Sequence, residues 1–331
     1  MALSPLIFGC QGPSLSAAER RFFAKAQPFG FILFSRNLET PKQIQQLCTE
    51  LRTAVGWHAP VLIDQEGGRV SRLGAPHWFE FLPALDQAAA PQSERLFWLR
   101  GRLIAENLRS CGIDSNCAPL GDIAQLDTHA VLKNRCYGHA LSAVVTHARA
   151  LHQGLRHGGV SGVLKHIPGH GRGTVDSHLD LPRVQGDLGS LQMHDFEAFR
   201  QLNTIEMGMT AHLVFEDIDP KHPATHSVEM IEIIRKQIGF NGLLMTDDIS
   251  MEALSGPLDL RARRALSAGC DIILHCNGQM DQMQLLADNS DGMGEASQMR
   301  AARVLAQRPE VQPVDIQQVK AEFDALLGEI R

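Results

Sequence analysis

A chain of 331 residues with 44% hydrophobic content can bury a large core and falls within the range of one α/β barrel. Lys and Arg number 31 against 37 Asp and Glu, and the resulting formal charge of -6 argues against a dedicated nucleic-acid binder. Gly (29) and Pro (16) are near average usage, which excludes collagen-like and low-complexity disordered classes.

The first nine residues (MALSPLIFG) lack a basic stretch, and no window approaches 18 uninterrupted apolar residues. No signal peptide, membrane span or membrane partner is therefore expected, and the expected location is cytoplasmic. The seven cysteines contain no CxxC pair and form an odd set, which reads as free buried thiols in a reducing compartment.

Short apolar runs alternate with longer helical stretches from end to end. Strands are predicted over 5–10 and 30–34. Thr40-Pro41 then supplies an N-cap and an N1 proline for a helix with Ile44, Leu47, Leu51 and Val55 on one stripe. Strands follow over 60–64 and 114–118. Ser142 precedes a helix that buries Val144, Ala148, Leu151 and Leu155 and stops at Gly158-Gly159. After strands over 162–166 and 208–212, Ser227 opens a helix that buries Ile231, Ile234 and Ile238, with Gly239 as its C-cap. The last strands fall over 242–247 and 271–276.

Eight β–α alternations without a linker predict a (β/α)8 TIM barrel, a single domain over 1–331 with a polar helical tail after Gln279. A doubly wound open sheet is the competing architecture, because spacing alone does not show closure. In a barrel the site lies at the C-terminal strand ends. Those ends carry Asp64, Asn116, Lys165-His166, His212, Asp247-Asp248 and His275. One terminal Asp can be a helix N-cap, but six polar ends converging on one rim describe a pocket.

Residues 165–182 read KHIPGHGRGTVDSHLDLP. A solvated Gly-rich loop, a phosphate cradle and a metal site using His166, His170, His178 and Asp176 are three readings. The run does not match a P-loop, however, and it lacks the HxH or HExxH spacing of a metal site. A fourth reading starts from Asp176 and His178, which point the same way along an extended loop. The carboxylate can hold one imidazole nitrogen and leave the other free for proton transfer. The loop lacks a nucleophile, and Asp247 is the fixed carboxylate that could face it.

With these residues go LIDQEGGRVSRL (62–73), KNRCYG (133–138) and LMTDDISMEAL (244–254). Together the four segments resemble glycoside hydrolase family 3, and within it the single-domain β-N-acetylglucosaminidases of bacterial peptidoglycan recycling. The resemblance spans at least 5–276. It implies a TIM barrel and a retaining mechanism in which Asp247 is the nucleophile, His178 the general acid/base and Asp176 its orienting partner. It places Asp64, Arg72, Arg135, Lys165 and His166 at sugar-binding positions, with His212 and Met251 as weaker members.

Asp64 and Glu66 are the rival carboxylate pair, and Asp248 is expected to point away from Asp247. The implied substrate is a muropeptide or another small N-acetylglucosaminide, acted on by a monomer without a metal or cofactor. A phosphorylase on the same scaffold and a metal-dependent amidohydrolase are the alternative activities. The chain departs from the family pattern at Ile167, at Cys136-Tyr137 and at Gly9-Cys10-Gln11.

Overall fold

The computed structural model describes residues 3–175 and 181–328 of the chain. Its strands are β1 (Ser4–Gly9), β2 (Pro28–Leu33), β3 (Val61–Ile63), β4 (Ser115–Asn116), β5 (Ser161–Ile167), β6 (Arg183–Val184), β7 (Met207–Thr210), β8 (Val214–Phe215), β9 (Leu243–Asp248) and β10 (Ile272–His275). Eight of them close a parallel barrel in the order β1-β10-β9-β7-β5-β4-β3-β2, so the open-sheet competitor falls away. Ile7 pairs with Leu274 and also with Gly30, which joins the first strand to the last and to the second.

Alternation along each strand explains the two layers of core. In β1, Ile7 points into the barrel with Ile32, Leu62, Val163 and Met245, while Leu6 and Phe8 face the helices. Helix Pro41–Val55 begins as its sequence dictates: the Thr40 side chain accepts from Gln43 N, Pro41 occupies the first turn, and Gly56 closes it at φ 76°. Ser227 likewise caps Val228–Lys236 by accepting from Met230 N.

Several boundaries differ from expectation. Helix Leu141–His157 starts one residue before Ser142, and helix Val228–Lys236 ends before Gly239. The fourth strand shrinks to Ser115–Asn116, and β7 ends at Thr210, so His212 lies beyond it. The two-residue strands β6 and β8 form a small parallel sheet of their own, too short to give a periodic signal.

The tail is more than a polar appendage. Helix Glu295–Ala306 places Ala301 and Val304 in the same apolar cluster as the barrel interior, and its Arg300 reaches Asp271 at 2.8 Å. Helix Ile316–Gly328 buries Phe323 edge-on against Phe79 and Phe81, with ring centroids 5.7 and 5.6 Å away. Phe323→Ala removes a fully buried ring from this three-ring contact and should lower unfolding free energy by about 3–5 kcal/mol. Urea titration checks this; a change under about 1 kcal/mol would mean that the tail docks without contributing to global stability.

Candidate active site

The site is built first by the loop leaving β3. Asn116 does not face the rim as expected; it accepts from Gln65 N at 3.0 Å and donates to Gln65 O at 2.9 Å. Gln65 in turn accepts from the backbone N–H groups of Arg72 and Leu73 at 2.8 and 2.9 Å, closing 65–73 into a rigid loop. Gly67 sits at φ 88°, where a Cβ would collide with Arg100 Nη2. The buried Arg100 guanidinium donates to the Glu66 carbonyl from both Nε and Nη2, at 3.1 and 2.6 Å. These contacts fix Asp64, Glu66 and Arg72 before any substrate arrives.

Five charges then alternate across the pocket. Arg72 donates to Asp64 at 3.2 Å and lies 5.2 Å over the Phe34 ring. Lys165 bridges Asp64 at 3.0 Å and Glu66 at 2.6 Å, and Arg135 grips Glu66 through Nε and Nη2 at 2.9 and 2.8 Å. Burial would raise both carboxyls. Lys165 and then Arg72 hold Asp64 well below the usual carboxylate range, while Arg135 and then Lys165 bring Glu66 down to about 2. Burial would depress the Lys165 ammonium, but Asp64 and Glu66 reverse that and keep it charged. Glu66 has both oxygens committed to ion pairs, which fits a scaffold role better than that of a nucleophile.

The end of β5 supplies the next wall. Lys165 and His166 both line the cavity, and the peptide between them is cis. His166 Nδ1 donates to the buried Asp122 at 2.7 Å. His170 also lines the cavity, and burial pushes its imidazole down to about 4.

Across the cavity, Asp247 at the end of β9 has one oxygen, Oδ1, accepting from Asp248 N at 2.8 Å. Burial would raise its carboxyl, but His212 and His166 outweigh that and hold it below its ordinary value. Lys165 lowers it further. The arginines are spent on Asp64 and Glu66. Asp248 also borders the cavity, but its oxygens are occupied, accepting from Cys276 N, Ser250 N and Ser250 Oγ.

One cavity of about 330 Å3 brings together Asp64, Arg72, Arg135, Lys165, His166 and Asp247, with Met251 beside them. Asp176 and His178 lie outside the described residues. Besides Asn116, two of the expected rim residues are redirected. His212 is fully buried and bonded to Thr225 Oγ1 at 2.7 Å and to the Asp248 carbonyl at 3.1 Å. His275 turns to Gln282 at 3.0 Å and packs its edge on Phe8. Sequence reasoning missed Phe34 and Asp122. Asp122 stands six residues past Asn116, and only a search extended beyond the strand end would have met it. No three His, Cys, Asp or Glu side chains among the described residues are grouped to hold a metal ion.

A closed parallel barrel with charged side chains gathered at the C-terminal mouth defines a TIM-barrel enzyme. The chain belongs to glycosyl hydrolase family 3, whose N-terminal domain matches residues 10–306. It is 38% identical over 288 residues to a β-hexosaminidase of Alkalilimnicola ehrlichii, covering 84% of this chain and 82% of that one. A β-hexosaminidase of Idiomarina loihiensis is 31% identical over 310 residues, with 92% and 93% covered. The crystal structure of native NagZ from Neisseria gonorrhoeae superposes with a TM-score of 0.86 at 30% identity, over 100% of this chain and 97% of that chain.

The pairs make an acid-stability prediction. Glu66 is depressed from 4.5 to about 2, so its contribution is fully present above 4.5 and is lost as pH falls toward 2. Glu66→Gln cannot titrate, and its urea midpoint should fall less than the parent's between about pH 5 and about pH 3. Equal losses in the two proteins would assign the acid sensitivity to other groups.

Proposed function

We propose that the chain is a retaining exo-β-N-acetylglucosaminidase that removes terminal β-linked N-acetylglucosamine from muropeptides or anhydro-muropeptides in cell-wall recycling. The observation that carries this reading is the placement of an ionised Asp247 in one cavity with the Asp64–Lys165 pair, which Glu66 backs from behind the wall. The β-hexosaminidase relatives supply the substrate class.

Asp64 can accept from sugar hydroxyls with lone pairs left over from Lys165 and Arg72, while Lys165, Arg72 and Arg135 present donors. Asp247 keeps Oδ2 without a protein partner among the described residues, so it can add to the anomeric carbon. As that bond forms, His178 protonates the departing glycosidic oxygen, and Asp176 stabilises the imidazolium. Water then displaces Asp247 from the sugar, losing its proton to His178, and the anomeric configuration is retained. The sequence of steps calls for neither metal nor cofactor. We further propose that the enzyme works as a cytoplasmic monomer.

Asp247→Ala should reduce turnover of an aryl β-N-acetylglucosaminide by several orders of magnitude, and near-normal turnover would remove Asp247 from the chemistry. His178→Ala should lose roughly 100-fold or more on poor leaving groups and much less on very good ones. Equal losses on both would exclude His178 as the acid.

A phosphorylase is the second reading. It is favoured by the three basic side chains that line the mouth, Arg72, Arg135 and Lys165, and by an imidazole acid/base, which sets no extra negative charge against an incoming phosphate. Product analysis with and without inorganic phosphate separates the two: free N-acetylglucosamine under both conditions supports hydrolysis, and a sugar 1-phosphate formed with phosphate replaces it.

A further inference from the structure

Asp122 is fully buried beside the cavity, and both of its oxygens accept hydrogen bonds. Its Oδ2 accepts from His166 Nδ1 at 2.7 Å and from His166 N at 3.3 Å; its Oδ1 accepts from His170 N at 2.7 Å. Burial would raise this carboxyl, but His166 and then His170 keep it below the ordinary carboxylate value, so it acts as an acceptor only.

An acceptor on that side requires the ring proton of His166 to sit on Nδ1. The ring lines the cavity beside Lys165 and Asp247, and Nε2 has no hydrogen-bond partner among the described residues. The edge of the His170 ring stands against the His166 ring, centroids 5.6 Å apart, and limits its rotation.

The segment that carries Asp122 also holds the turn that follows. Gly171 packs so closely on Ile123 O that a Cβ there would collide with it, and Thr128 Oγ1 donates to Gly171 O. His129 N donates to Gly173 O at 3.0 Å. Residues 170–173 are therefore registered against the same segment that orients His166.

We propose that Asp122 is a positioning residue: it fixes the proton of His166 on Nδ1, presents Nε2 to the bound sugar, and holds the 170–173 turn in register with that ring. Asp122 touches no substrate; it acts through His166 and the His170 N–H. The role rests on the reading of His166 as a sugar-binding residue. Asn cannot replace it, because both carboxylate oxygens face N–H donors and an amide would turn its NH2 group against one of them.

Two measurements test the assignment. In the two-bond 15N–1H spectrum of the His-labelled parent chain, the His166 signal, identified by its loss in His166→Ala, should report a protonated Nδ1. A bare Nδ1 overturns the proposal. This reading needs no turnover and no Asp122 variant, so it stands apart from the fate of the glucosaminidase assignment.

The second measurement is a double-mutant cycle on an aryl β-N-acetylglucosaminide. Asp122→Asn should lower kcat/KM by about 10–100-fold in the parent chain, and by less than about twofold in the His166→Ala background. An equal loss in both backgrounds would show that Asp122 serves only the fold, and would overturn the proposal.

Discussion

The arrangement of the mouth depends on one buried ammonium. Lys165 is 2% exposed, and an unpaired charge at that depth would cost several kcal/mol. Two carboxylates from one loop meet it, and each is met again by an arginine, Asp64 by Arg72 of the same loop and Glu66 by Arg135 from farther along the chain. Removing Glu66 would leave the Arg135 guanidinium without its carboxylate and Lys165 with only one of its two. The chain of pairs thus binds the β3 loop, the end of β5 and Arg135 into a frame whose geometry is set before a ligand binds.

The same frame explains a division of labour among carboxylates that composition alone would not separate. Asp64 and Glu66 have both oxygens paired to cations, Asp122 has both on N–H donors, and Asp248 has both on the backbone and side chain of its own loop and on Cys276. Of these five, Asp247 alone keeps an oxygen without a protein bond among the described residues while facing the cavity. Burial would raise its carboxyl, and the imidazoles of His212 and His166, ahead of Lys165, bring it below its ordinary value. A nucleophile kept ionised by weakly basic neighbours avoids a tight ion pair that would have to break before it attacked.

Much of this was legible from residues alone. Asp64, Lys165, His166 and Asp247 end apolar runs, and a closed barrel sends such positions to its mouth. Arg72 and Arg135 follow no strand and were reached only through motif resemblance. Asn116, His212 and His275 satisfied the same strand-end rule, yet they do not line the cavity: β4 and β7 stop early, and His275 has a glutamine within reach. Which carboxylate pairs with which cation is a tertiary fact. Asp122 and Phe34 had no local pattern to mark them, because their partners lie 44 and 38 residues away.

The tail helix Glu295–Ala306 has a consequence for traffic. Its Ala301 and Val304 stopper the end of the barrel opposite the charged mouth, and the interior between is filled with side chains. The molecule is a cup and not a tube. A polymer cannot thread through it, so any sugar chain must dip one end in and withdraw by the same opening. On the glycosyl-enzyme reading, the released aglycone has to clear that single doorway before water can follow it in, which makes departure and hydrolysis consecutive users of one passage.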